Sequence, residues 1–437
     1  MQTYCTTSNT LFISLDMGKN VHWLAGYEGH NLAVMAEPQA LRSNKAGFEQ
    51  ATALIDALRH SGRFDQIIIG HEPTGVYHEI WARALYDRYV ADQDCERYPP
   101  VIYRFVNPLV VKRKREQLNN GRSRKTDKLD LDAIAACLRD LVGRAAYLPS
   151  PEALRFQLWS RNYRTLVQER HRLSVSILTQ LDRLWPGAVV NVGRFRQMHP
   201  ELEVPIPLVL SKPLQRKRVQ AILQHCPNPH HFLALGLDGI QTFYRTHLGR
   251  CGQTTAKLAF SVVQQALLPP PDIATVLAED LQADFSHYLS LDHRLQHLYD
   301  QAETLIQDTP AAVLATIPGI SPFLAARYMA YLGDYHRFDK ASQVWAFAGF
   351  DPIIEESGDS RRIGQISCKG DAGFRDTLYL IGLHTANQIQ SFAQTKQRAL
   401  LRSKSAVKAT IHVAHRANRL CFHLLHHQVP FDPQRVR

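Results

Sequence analysis

The order in which short apolar runs and helical stretches follow one another through the first 140 residues leaves few folds open. Leu11 to Gly18 is a short apolar run broken by Asp16, and Val21 to Tyr27 and Leu32 to Ala36 follow it with turn residues between. That spacing predicts three strands in a hairpin meander, with Gly29-His30-Asn31 at the second turn. Lys45 to His60 carries apolar residues at helical spacing. Ile67 to Gly70 reads as a buried strand ended by Glu72-Pro73-Thr74-Gly75; Val76 to Tyr89 is helical again and Val101 to Val106 is a strand. Asn107-Pro108 then opens a basic helix, and a further helix begins at Thr126. The predicted order is β-β-β-α-β-α-β-α, an α/β domain.

The acids fall at telling places on that order. Asp16 lies inside the first strand, where an ionised carboxylate is costly unless paired or metal-bound. Glu72 follows the fourth strand at its carboxyl end, the usual edge for sites in sheets with parallel strands. Asp127 and Asp130 are three apart and share a helical face, whereas Asp132 sits roughly 160° from Asp130. Thr126 or Asp127 can cap the helix, and acids suit the positive end of its dipole. Taken alone, this stretch is explained better by a capped surface helix than by a site. Four acids from three elements at one sheet edge are nevertheless the layout of a two-metal nuclease site, with divalent ions about 4 Å apart.

A net charge of +11 and a pI near 9.3 favour a polyanionic partner, nucleic acid first and an anionic membrane surface second. Much of the basic character lies between Arg104 and Lys128, with Lys112, Arg113, Lys114 and Arg115 together and Arg122, Arg124 and Lys125 beside the acids. Each phosphate neutralised adds about 0.9 to the salt slope of duplex binding, so this segment could dominate non-specific affinity. No apolar run approaches the roughly 18 residues of a membrane span, and the first residues lack a signal-peptide core, so no membrane partner and a cytoplasmic location are expected. Seven scattered cysteines without a C-x-x-C pair fit a reducing compartment.

The texture changes at Pro149. Leu154 to Leu184 is one long arginine-rich helical pattern stopped by Trp185-Pro186-Gly187. Residues 188–272 are the least readable, and His247 with Cys251 lacks the four-ligand pattern that zinc needs. Past Pro269-Pro270-Pro271, Leu281, Tyr288, Leu295 and Ala302 occupy heptad position a, and Leu291, Leu298 and Leu305 occupy d, with Asp284 spoiling the d row. A coiled-coil hairpin, a dimer contact and a helix packed within one chain all fit that stripe. Ile317-Pro318-Gly319-Ile320-Ser321 resembles a helix-hairpin-helix turn or a plain turn between core helices. Ser357 precedes Gly358 in a polar stretch followed by Arg361 and Arg362; composition alone favours an ordinary polar loop. Were Ser357 a nucleophile, Arg361, Arg362, Lys369 and Arg375 could clamp a phosphate. Lys396 to Arg419 is a basic, largely helical tail.

Read as motifs, ISLDMGK, HEPTGVY and KTDKLDLDAIA resemble the D, E, D, D of the DEDD insertion-sequence transposases of the IS-one-ten kind, described as bridge-RNA-guided recombinases. Pro352 to Gly358 matches that family's P-x(4)-S-G, and Ile366 to Arg375 its I-S-K-x-G-[ND]-x-x-L-R, with Cys368 standing where lysine is common and Glu356 directly before the serine. The resemblance implies a ribonuclease-H-like (RuvC-like) domain at 1–148, a helical region with a coiled coil at 149–308 and a mainly α serine transposase domain at 309–437. It implies that Asp16, Glu72, Asp127 and Asp130 bind Mg²⁺ or Mn²⁺ and that Ser357 attacks a DNA phosphate. It further implies double-stranded DNA and an element-encoded guide RNA as partners, in a dimer or tetramer associated with the nucleoid. A junction-resolving or other structure-selective nuclease using the four acids without a covalent serine step is the alternative enzyme. A sugar-kinase-like ATP-binding protein lacks its second phosphate loop, and a non-catalytic scaffold would tolerate loss of Asp16 or Glu72.

Overall fold

The computed structural model describes residues 9–73, 75–91, 97–122, 126–203, 212–357 and 360–435. The chain divides into two compact units, Met1–Leu148 and Pro149–Arg437. The first is built on a six-stranded sheet of β1 (Thr10–Met17), β2 (Val21–Glu28), β3 (Val34–Arg42), β4 (Gln66–His71), β5 (Val101–Phe105) and the two-residue β6 (Arg144–Ala145), in the order β3-β2-β1-β4-β5-β6. β1, β2 and β3 pair antiparallel, whereas β4 and β5 run parallel to β1. This mixed sheet is compatible with a ribonuclease-H-like domain.

Alternation along the strands sets two faces. Leu11, Ile13, Leu15, Ile67 and Ile69 bury one face against α1 (Lys45–Arg59) and α2 (Glu79–Tyr86). Phe12, Ala25 and Ile68 bury the other with Val111 of α3 (Pro108–Leu118) and Leu131, Ile134 and Leu138 of α4 (Asp127–Arg139). β3 runs on to Arg42, past the Ala36 at which the sequence reading ends it. The continuation holds Pro38, which lacks an N–H for a sheet interior; β3 tolerates it because it is the sheet's edge strand.

Under the α1–α2 face lies His22, fully buried with neither ring nitrogen hydrogen-bonded and its ring edge-on to Trp81 at 4.3 Å. Burial holds its pKa below the usual 6.5. Below about pH 6.5 the unfolded chain therefore takes up a proton that the folded chain resists, and stability falls as pH falls, by up to about 1.4 kcal/mol per pH unit for one such group. His22→Leu should flatten that loss. Urea midpoints followed by tryptophan fluorescence from neutral to mildly acidic pH read it, and identical slopes for the two chains would refute it.

The second unit is mostly helical. Ser150 caps α5 (Pro151–Leu184) by accepting from the Ala153 amide, and the helix ends at Trp185 as the Trp-Pro-Gly stop predicts. Among the described residues, 188–272 contain five shorter α-helices, α6 to α10 (Val192–Met198, Lys217–His225, Pro229–Ala234, Gly236–Leu248, Gln253–Gln265). α11 (Pro271–Ile306) lies antiparallel against α5: Trp159 Nε1 donates to the Leu298 carbonyl at 3.0 Å, and Gln180 Nε2 donates to Asp284 at 2.8 Å. The heptad stripe is used inside this chain, since Leu281, Leu291, Leu295, Leu298 and Ala302 are buried. Asp284, the misfit of the d row, is received by Gln180 and Ser176.

α12 (Pro322–Leu332), α13 (Ala341–Phe347), α14 (Ala372–Gln388), α15 (Gln390–Ser403) and α16 (Ala406–His427) complete the unit, with a hairpin of β7 (Pro352–Ser357) and β8 (Ser360–Ile366) between α13 and α14. Gly319 has φ +93° and sits so close to α14 that a Cβ there would lie 2.7 Å from the His384 carbonyl. Its turn is packed into the core, which is reason enough for a glycine at that position.

Candidate active site

β1 and β4 are parallel neighbours with Leu15 opposite His71, so Asp16 and Glu72 stand side by side at the carboxyl ends of adjacent strands. Asp16 shares its face with Phe12 and Ser14, the face that α4 covers. Glu72 continues the row of Ile68 and Gly70 onto that same face. Both acids are half-buried. Gly70 is what lets α4 come down here: a Cβ on it would lie 2.6 Å from the Leu138 side chain. His71, on the opposite face, is fully buried; burial and the neighbouring His78 push its pKa down to about 3, so it is a neutral wall of the strand end.

α4 starts as its sequence predicts, with the Thr126 hydroxyl accepting from the Leu129 amide and Asp127 and Asp130 in its first turn. The two acids differ sharply in surroundings. Asp127 is exposed, whereas Asp130 is buried and ion-paired to Arg115 of α3. Asp132, which the sequence sets on a different face of the helix from Asp130, accepts from the Tyr27 hydroxyl at 2.7 Å, and burial with that bond raises the phenol's pKa. With Asp132 fastened to β2 and Leu138 seated on β4, α4 crosses β1. Among the described residues, no group of three or more His, Cys, Asp or Glu is arranged to hold a metal ion. Asp16 and Glu72 are thus brought together, but Asp127 and Asp130 do not close a metal site with them in this arrangement.

The basic segment is divided. Lys114 and Arg115 are turned inward, Lys114 to Asp140 at 2.5 Å and Arg115 to Asp130. Lys112, Arg113 and Arg122 are exposed, while Arg124 and Lys125 lie outside the described residues. The sequence offered no sign of that division, because α3 and α4 meet only in three dimensions.

Ser357 ends β7 and pairs with Ser360 across the hairpin, which places it at the hairpin tip; the sequence suggested an irregular polar loop. Glu355 stands opposite Arg362 in the register, and Glu356 opposite Arg361. The base of the hairpin is tightly built. The Ser367 hydroxyl donates to Asp351 at 2.5 Å, and the Ser367 amide donates to the Asp351 carbonyl at 2.7 Å. Gly370 packs so closely on Phe347 and Ala348 that a side chain there would meet their backbone. Arg375, a sequence candidate for phosphate contact, donates from Nη1 to the carbonyls of Ala348 (3.1 Å) and Gly370 (2.7 Å), so it clasps this base. Lys369 is exposed.

The mixed sheet thus has two acids at its carboxyl edge and a basic helix, α3, packed beside α4. Residues 13–186 match a family profile described as transposase, of the DEDD IS110 type, and residues 311–397 match the transposase IS116/IS110/IS902 family. The chain belongs to the IS110 family of DEDD transposases. It is 30% identical over 132 residues to the insertion element IS116 uncharacterized 44.8 kDa protein of Streptomyces clavuligerus, covering 30% of this chain and 32% of that one. It is 25% identical over 208 residues to a probable family 20 transposase of Pseudomonas aeruginosa, covering 45% of this chain and 58% of that one. The chain thus matches less than two thirds of the length of either relative. Asp16, Glu72, Asp127 and Asp130 fall inside the first matched segment and Ser357 inside the second.

Proposed function

We propose that this protein is a DNA transposase that cuts and rejoins the ends of an insertion sequence, with Asp16, Glu72, Asp127 and Asp130 at one centre and Ser357 at another. The observation that carries the reading is the pairing of Asp16 with Glu72 at the carboxyl ends of parallel β1 and β4, on the face crossed by the helix bearing the other two acids. The family pattern supplies the rest. Mg²⁺ or Mn²⁺ belongs to this proposal, and Asp130 would have to leave Arg115 to help hold it. Arg361, Arg362 and Lys369 are the proposed phosphate contacts around Ser357. Lys112, Arg113 and Arg122 are proposed to hold the nucleic-acid backbone beside the acids, with Arg124 and Lys125 completing that segment. The three-part division at 148 and 308, a guide RNA, a dimer or tetramer and a cytoplasmic, nucleoid-associated location belong to the same reading.

The test is strand joining by the full-length protein on DNA carrying its element's ends, together with RNA transcribed from the flanking element. Asp16→Asn, a near-isosteric change at a strand end, should lower joining at least a hundredfold, a loss of about 3 kcal/mol in transition-state stabilisation, and leave duplex binding intact. Undiminished joining would make Asp16 a structural residue and take the acids out of the strand-joining reaction.

A further inference from the structure

The last helices carry a charge imbalance that neither proposed centre uses. Between Asp376 and Asp432 the chain has no Asp or Glu, yet it has seven Lys and Arg. Most of them lie on α15 and α16, which pack together as a hairpin through the left-handed Lys404 (φ +50°). Between the two helices is a cavity of about 420 Å³. Thr395, Arg398, Ala399, Arg402 and Ser403 line it from α15, and His412 lines it from α16. The α15 residues recur at three- and four-residue steps, which makes them one helical face. Two guanidiniums, an imidazole and two hydroxyls thus surround a space with no carboxylate in its lining.

Arg416 braces this wall. Its Nη1 donates to the Ser391 carbonyl at 3.1 Å and to the Thr395 hydroxyl at 2.7 Å, and its guanidinium lies 4.9 Å over the Phe392 ring. Burial first, then the like charges of Arg398 and Arg419, lower its pKa; burial, Arg419 and His412 do the same to His415. Positive groups crowded this way repel one another, and that repulsion is relieved when a polyanion binds. Arg398 and Arg402 are exposed and four residues apart, about 6 Å along the helix, so both can meet one stretch of backbone.

We propose that the α15–α16 hairpin is a docking surface for a nucleic-acid phosphodiester backbone, gripped by Arg398, Arg402 and His412. It rests on the nucleic-acid reading of the protein but not on its strand-joining chemistry. The chemistry of the surface is the same for DNA and RNA, so the experiment has one arm for each. The anisotropy of a labelled DNA duplex of arbitrary sequence, and separately of a labelled RNA hairpin, is followed against the full-length protein over a series of salt concentrations. Arg398→Gln/Arg402→Gln should weaken binding roughly tenfold near 0.1 M salt and reduce the DNA salt slope by about 1.8, two phosphates' worth. Lys45→Gln/Arg63→Gln, which removes the same charge from exposed positions of the first unit, should change binding far less.

A loss on DNA alone, on RNA alone or on both supports the surface and names the backbone it holds. Unchanged affinity and slope on both probes overturns it, as does an equal loss in the Lys45/Arg63 control. Strand joining is a separate readout: a protein that joins nothing yet loses binding in the Arg398/Arg402 variant keeps this surface and loses only the proposed chemistry.

Discussion

Ser357→Ala should eliminate strand joining, by at least a thousandfold, and with it any covalent protein–DNA adduct. In the proposed step the serine oxygen forms a bond to phosphorus as the bond from phosphorus to a deoxyribose oxygen breaks. The hydroxyl proton leaves Ser357 and the departing sugar oxygen is protonated, so one phosphoester replaces another and the strand can be rejoined without an outside energy source. Alanine removes the hydroxyl oxygen that makes that bond, at a position whose backbone pairs with Ser360 across the hairpin. The effect should therefore fall on turnover and not on DNA affinity. Denaturing gels of protein incubated with end-labelled DNA read both consequences, as a shifted protein-bound band and as joined product. Continued cleavage by Ser357→Ala without any adduct in the wild type would sink the serine step and select the structure-selective nuclease that works with the acids and water.

What could be read in the sequence was whatever depends on near neighbours. The runs of β1, β2, β4 and β5, the Thr126 cap and the Trp-Pro-Gly stop after α5 are local, and each lies close to where the pattern puts it. The pairing of Asp16 with Glu72 was legible because both follow from strand ends and one parallel pairing. The full length of β3 was not legible, since its continuation holds Pro38, which a strand tolerates at a sheet's edge, and edge position is a property of the whole sheet. The partners of Asp132, Arg115 and Arg375 were out of reach for a related reason. Each is engaged by a group distant in the chain: Tyr27 by 105 residues, Asp130 by 15 and Ala348 by 27. The helices described within 188–272 could not be delimited from the sequence, because none is long and the buried faces of most of them pack on α5 and α11, which lie elsewhere in the chain.

The Arg115–Asp130 pair decides how firmly α4 is held, and Arg115→Met should loosen that helix by about 3–5 kcal/mol. The Arg115 side chain is 13% exposed and the Asp130 side chain 5%, so water screens the pair little. Methionine keeps most of the apolar stem but leaves a buried carboxylate without its cation, and breaking a buried pair from one side carries about that cost. Arg115→Met/Asp130→Asn removes both charges and should recover a large part of the loss, because the penalty lies in the orphaned charge rather than in the absence of a bond. Hydrogen exchange of the Leu131–Leu138 amides in the full-length protein reads this directly, with at least a hundredfold less protection in the single variant than in the double. Equal protection in all three chains would mean that Leu131, Ile134 and Leu138 alone hold α4 to the sheet. The same comparison bears on catalysis. If Asp130 must be free of Arg115 to act with Asp16 and Glu72, nucleic-acid phosphate is the natural competitor for the guanidinium. Duplex DNA should then lower α4 protection in the wild type and leave it unchanged in the double variant, where there is no pair to break.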